Sequence, residues 1–293
     1  MKQRSSILDR LFMGLVFFFL YAPIFLLIIF SFNDSKSRTV WQGFTLDWYV
    51  ELFQDSAIMS SIYTTLLVSV IATVVATVAG TFAAIGFYNM RRRWRNPLIT
   101  INNIPMMSAE IVMGVSLCLF FVAAFGLFGT AAQWLNNTLG TNLPTRYYLG
   151  FPTLLIAHIT FNTPYVVLAV MPKLQQMDKH LVEAAQDLGC TWRQAFWKVI
   201  IPEIKPGIVN GMLIAFTMSV DDFVISYFTA GSGASTLAME IYAMTRKRIS
   251  PEINALSTLI FAVVLIALIA VNIHSAHQER VQRKKELAWK QGS

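Results

Sequence analysis

Apolar positions in this chain gather into long runs separated by short polar stretches. Six runs approach or exceed the ~20 residues that a helix needs to cross a bilayer. They are Leu11–Phe32, Ile62–Tyr88, Ile99–Phe128, Phe151–Met171, Ile208–Ala230 and Leu256–His274. Lipid offers no partner to a backbone N–H or C=O, so runs of this length predict helices that bond internally. The third run carries Pro105, after which the span can begin, and the fourth carries Pro164, where proline can kink it. The first run is longer than the about 7–15 residues of a signal-peptide core, and the following FSFNDSKS holds no small-x-small cleavage pattern. It predicts an uncleaved spanning helix. The expected class is an all-α integral membrane protein with six transmembrane helices.

Within the second run, Ala72, Ala76, Gly80 and Ala84 recur every four residues and share one helix face. Small faces let helix backbones approach closely in lipid, so a compact bundle is expected. Between the first two runs, WQGFTLDWYVELFQD carries Trp41, Trp48 and Tyr49, rings suited to a membrane interface. From Asp47 onward it predicts a short surface helix, with Leu46, Tyr49/Val50 and Phe53 spaced for one apolar face.

Composition agrees with the pattern. The 293 residues are 55% hydrophobic and 13% charged, against about 25% charged in soluble domains. The net charge of +7 reads as topology rather than nucleic-acid binding, because no soluble basic domain accompanies it. With the N-terminus in the cytoplasm, seventeen Lys and Arg fall in inside segments and six outside. That asymmetry places both termini in the cytoplasm. The RRRWR run at 91–95 is a topology anchor on this reading, with a lipid-headgroup site as the alternative. Cys118 and Cys190 form no CxxC pair and predict reduced thiols, and no metal site is expected.

One segment does not fit the role of a simple connection. LVEAAQDLGCTWRQAFWKVIIPEIKPG, Leu181 to Gly207, is far longer than a turn requires. Asp178 can cap a first short helix whose Leu181, Ala184, Ala185 and Leu188 form an apolar stripe, and Gly189 can end it. Thr191 with Gln194 fits a capping box for a second helix, with Ala195, Phe196 and Val199 as its apolar contacts. Pro202 and Pro206 are expected to break the chain before the fifth span. An alanine-built stripe suits a helix resting in another protein's groove. The alternatives are a helix lying on the membrane or packed under its own bundle.

At EAAQDLG followed by IIPEIKPG the chain resembles the EAA loop of ABC importer permeases. Glu183, Ala184, Ala185 and Gly189 match that pattern, and Ile201–Pro202 stands where members often have Leu-Pro. The resemblance implies the type I importer permease fold and a coupling helix, with Glu183, Ala184, Ala185, Asp187, Gly189 and Pro202 as coupling residues, that docks on an ATP-binding subunit. The sequence contains no Gly-Lys pair and therefore no P-loop. ATP and Mg are thus expected on a partner ATPase dimer, with no catalytic residue and no cofactor on this chain. WQGFTLDWYVELF, AHITFNTPYVV, FTMSVDDFVISYFTAG and ISPEINALST resemble the PotC-type permeases of spermidine/putrescine importers. That implies a second homologous permease, an extracytoplasmic solute-binding protein, a polyamine substrate and a multi-pass place in the bacterial inner membrane. Another small solute, an ion-gradient transporter or a membrane scaffold are the rival readings. The expected organisation is residues 1–59 as tip, first helix and outer loop, 60–275 as permease core with a coupling loop near 172–207, and 276–293 as a basic tail.

Three acids fall in apolar runs: Glu110 in the third, Asp221 and Asp222 in the fifth. An acid at a helix centre costs about 2.5–3.5 kcal/mol on insertion scales, so such residues face a bundle interior or a watery cavity. Carboxylates suit a polycation, which makes the three candidates for a substrate path. Neighbouring helix residues point about 100° apart, so both aspartates are not expected to line one path. The structural alternatives are a capped helix end, an ion pair or an interface. His158 reads as a packed, hydrogen-bonded histidine. Met106 and Met107 read as bundle packing, and Arg246-Lys247-Arg248 has no assigned role.

Overall fold

The computed structural model describes residues 7–35, 40–178, 180–247 and 252–262, with 265, 266 and 269. Among these the chain is helical, with one isolated bridge between Asn33 and Phe44. Five helical stretches are long and apolar enough to cross a membrane: Arg10–Phe30, Ser56–Asn89, Glu110–Leu139, Phe151–Gln176 and Trp192–Asp221. Of the sixth predicted run the start is described, as a helix over Glu252–Ala262, with residues 265, 266 and 269 beyond it. The other residues of that run, the basic tail and Arg248 lie outside the described residues.

The chain divides into two units, residues 1–56 with 241–293, and Ala57–Glu240. In the first, α1 (Ile7–Phe30) exposes Phe12, Phe18, Phe19 and Phe25 around its circumference, as a lipid-facing span would. Asn33 organises the loop beyond α1. Its side-chain N–H donates to Val40 O (2.8 Å), its Oδ1 accepts from Gln42 N (3.0 Å), and its carbonyl accepts from the indole of Trp48 (2.8 Å). The predicted surface helix is present as α2 (Asp47–Gln54), but its inward face is Trp48 and Leu52. Leu46, Val50 and Phe53 are each more than half exposed. The indole N–H and the Asn33 carbonyl satisfy each other, and the inward face of α2 lies about a third of a turn from the expected one, with Tyr49 between the two, half-buried against Ser31 and Phe32.

In the second unit, α3 (Ser56–Asn89), α6 (Phe151–Gln176) and α9 (Ile201–Asp221) pack closely. The small face of α3 is buried as predicted, and Ser69, Thr73, Thr77 and Thr81 widen it. A β-carbon placed on Gly80 would lie 2.7 Å from Val166 Cβ, and one on Gly211 3.2 Å from Val166 Cα. Val166 is thus clamped between α3 and α9. Gly207 meets α6 in the same way, at Ala169–Val170 and Lys173. The core below this clamp is Ala84, Ile85, Val167, Val170, Leu174, Ile200 and Ile204.

One boundary falls where Pro105 allows the span to begin, and one differs from expectation. The third run is divided: α4 (Arg92–Met107) contains Pro105, Ser108 and Ala109 are extended, and α5 (Glu110–Leu139) then begins. The prolines at 202 and 206 do not break the chain. They lie inside α9, which continues from α8 (Trp192–Ala195) through a π turn at Phe196–Ile200. There Ile201 N–H bonds Phe196 O, five residues back. This wider turn just before Pro202 relieves the clash that its ring would make with the preceding carbonyls. By contrast α6 runs unbroken through Pro164.

Candidate functional site

Two helix breaks lie side by side. One is Ser108–Ala109, ahead of α5. The other is Asp222–Phe223, between α9 and α10 (Val224–Thr229). A β-carbon on Gly114, one turn into α5, would meet the Phe228 ring at 2.9 Å and Val224 O at 3.3 Å. The first turns of α5 and α10 therefore touch, and a side chain at 114 would have to displace the Phe228 ring. Each break exposes N–H groups that have no helical partner. Irregular backbone in a membrane protein is tolerated where protein buries it or where it lines a watery cavity.

The three predicted acids all sit at these breaks, at helix ends rather than mid-helix. Glu110 is exposed in the first turn of α5, and Asp221 is exposed as the last residue of α9. Asp222 turns the other way and is 9% exposed. Its Oδ1 accepts from Ile225 N (3.2 Å) and its Oδ2 from Ser226 N (2.7 Å) and Ser226 Oγ (2.8 Å). Asp222 thereby caps α10. The adjacent aspartates differ in burial as expected, but Asp222 lies outside α9 in extended backbone, so the helix angle is not what separates them.

Beside Asp222 lies His158 of α6, 2% exposed. Its Nδ1 is 2.7 Å from Ser219 Oγ, and its Nε2 is 3.0 Å from Ser226 Oγ and 3.6 Å from Asp222 Oδ2. The directions follow from the partners. Ser226 Oγ donates to Asp222, so it accepts from Nε2–H. Nδ1 then accepts from the Ser219 hydroxyl. The neutral Nε2–H imidazole satisfies every member of this buried chain. His158 is hydrogen-bonded as expected, but to partners that no local pattern names. Ser219 and Ser226 look in the sequence like ordinary small helix residues. Aromatic rings surround the breaks: Phe223 and Tyr227 at 5.6 Å, Tyr227 and Phe228 at 5.6 Å, and Phe161 and Tyr165 at 5.3 Å.

A second surface belongs to the polar segment. Its first helix, α7 (His180–Asp187), has its N-terminal His180 N–H bonded to Asp178 Oδ1 (3.0 Å), and Gly189 follows it at φ +88. The Thr191–Gln194 capping box of α8 is also present. Val182 packs on the core, and Phe196 stacks on Phe82 at 6.2 Å. No residue of α7 is buried. The predicted stripe faces outward, with Leu181 and Ala184 exposed, Ala185 half-buried and Leu188 87% exposed. Glu183, Asp187 and Gly189 are exposed beside it, and Pro202 lies on the next helix. Among the described residues the stripe is therefore largely uncovered by its own bundle.

Residues 76–283 match the family described as binding-protein-dependent transport system inner membrane component. The chain is 39% identical over 256 residues to the putrescine transport system permease protein PotI of Escherichia coli (strain K12), covering 87% of this chain and 86% of that one. It is 34% identical over 259 residues to the spermidine/putrescine transport system permease protein PotC of the same strain, covering 88% and 90%. In fold it is similar to a bacterial ABC transporter involved in the import of the acidic polysaccharide alginate, with a TM-score of 0.67 at 18% identity over 93% of this chain and 95% of that one. The methionine transporter MetNI is a more distant neighbour, with a TM-score of 0.52 at 20% identity over 77% and 94%. At these identities the two neighbours show a shared fold. With helices of membrane length and relatives that are transport permeases, the chain is a multi-pass transport subunit and belongs to the family of binding-protein-dependent transport system inner membrane components.

Proposed function

We propose that this chain is a permease subunit of an ATP-driven importer of polyamines. With a second, homologous permease it forms the translocation path for spermidine- or putrescine-class solutes delivered by an extracytoplasmic binding protein. The observation that carries the solute class is the pair of exposed carboxylates, Glu110 and Asp221, at neighbouring helix breaks, in a chain 39% and 34% identical to PotI and PotC. A flexible polycation leaving water needs anionic partners, and broken helices are where transporters place them. Asp222 serves the path indirectly, by shaping the break.

Both termini and the α7 segment lie in the cytoplasm on this reading. ATP and Mg bind a partner ATPase dimer, and α7 rests on it with Leu181, Ala184, Ala185 and Leu188 inward. Glu183, Asp187 and Gly189 set the edge and end of that contact, and the π turn before Pro202 carries its movement into α9. ATP and solute then bias one two-state bundle.

The test is ATP turnover by the assembled transporter with its cognate binding protein, comparing spermidine, putrescine and an amino acid. The expected result is stimulation by the polyamines alone. Equal responses to all three would remove the solute assignment. Uptake that persists without ATPase subunits and follows an ion gradient would replace the reading with a secondary transporter.

A further inference from the structure

We infer that His158 is a positioning residue that sets the geometry of the break between α9 and α10. It rests on the proposed site, because that break is where Asp221 leaves the helix. His158 is on α6, yet it grips both sides of the interruption: Ser219 Oγ before it at 2.7 Å, and Ser226 Oγ after it at 3.0 Å. The path then closes on Asp222, whose carboxylate holds the Ile225 and Ser226 N–H groups. A break has two free backbone ends, and a cap made within α10 alone fixes only one. His158 ties the two ends to a third, uninterrupted helix. The imidazole supplies one acceptor and one donor on opposite edges of a rigid ring, which a single hydroxyl or a lysine cannot do. Ser219, Ser226 and His158 are all nearly inaccessible, so water cannot substitute for a lost partner. With the break fixed, Asp222 stays turned inward and Asp221 stays outward. The consequence is coupling: movement of α9 shifts Asp221 as a rigid extension of the helix instead of being absorbed by a loose joint.

The experiment uses the full transporter with its partner subunits, in His158→Ala, His158→Gln and Ser219→Ala/Ser226→Ala forms. Hydrogen exchange of residues 222–230 is read alongside putrescine uptake per ATP hydrolysed. His158→Ala is expected to speed exchange at Ile225 and Ser226 at least about five-fold. It lowers uptake per ATP about ten-fold while ATP turnover stays within about two-fold. Glutamine can donate and accept from one amide, so His158→Gln recovers much of both readouts. The double serine variant repeats the alanine phenotype. Should His158→Ala fail to assemble, the serine variant, which removes only two hydroxyls, decides the matter. Unchanged exchange at Ile225 and Ser226 in either alanine form overturns the inference, as does uptake per ATP that stays at the wild-type level. Failure of the polyamine reading looks different, since putrescine uptake is then absent even in the wild type while the exchange effect of His158→Ala persists.

Discussion

Asp221 and Asp222 are chain neighbours in opposite surroundings. Asp222 spends its carboxylate on two backbone N–H groups and a hydroxyl, whereas Asp221 is exposed. Truncating a buried hydrogen-bonded group leaves its partners unsatisfied, at about 1–3 kcal/mol. Asp222→Ala is therefore expected to lower the unfolding temperature of the solubilised chain clearly. Asp221→Asn should leave it unchanged while cutting polyamine uptake. Thermal unfolding and uptake of the two variants, measured together, check the distinction, and reversed phenotypes would exchange the two roles. In the sequence both residues read alike. Asp222 lies outside α9 and its carboxylate is held by Ile225 and Ser226, partners within four residues, whereas His158, which bonds Ser226, is on a helix far away in the chain that no local pattern reports.

At the scale of elements, the α3–α6–α9 clamp rests on glycines at 80, 207 and 211, where no β-carbon fits without displacing α6. Overpacking such a contact costs about 1–3 kcal/mol. Gly211→Leu should lower the yield of folded chain in membranes, and Val166→Ala in the same chain should restore part of it. A yield equal to wild type would show that the helices separate freely. α7 calls for the opposite experiment. Leu188 is almost fully exposed, so Leu188→Asp should leave unfolding unaffected and weaken co-purification of the ATPase subunit, checked by pull-down from membranes. The caps of α7 and α8 were legible because capping is chemistry within four residues. The face of α2 was not, because one bond from Trp48 to the Asn33 carbonyl outweighed the spacing of its exposed apolar residues. Likewise Pro202 reads as a stop signal, and the π turn that accommodates it leaves no mark on periodicity.

For the whole molecule, the large apolar residues of α1, and of α5 at Ile111, Val112, Leu119, Phe120 and Val122, remain exposed. Such surface belongs against lipid or another subunit, not water. The proposed mechanism makes uptake a property of the assembly. Proteoliposomes holding this chain and its partner permease without ATPase should show no concentrative putrescine uptake, and collapsing ion gradients should not diminish ATP-dependent uptake in the complete system.

The sequence by itself determined the class, the membrane-length runs and the close-packing face of α3, and its polar segment carries the resemblance to the EAA loop of ABC permeases. The first three are written in local composition: the insolubility of bare backbone in lipid sets run length, and small-residue spacing acts within a turn or two. Tertiary structure alone decided that the first turns of α5 and α10 meet at Gly114, and that His158 of α6 reaches Ser219 and Ser226 on the two sides of the second break. A charged group's cost in a membrane says only that it must find partners. The packing of α5, α6, α9 and α10 decides which partners it finds.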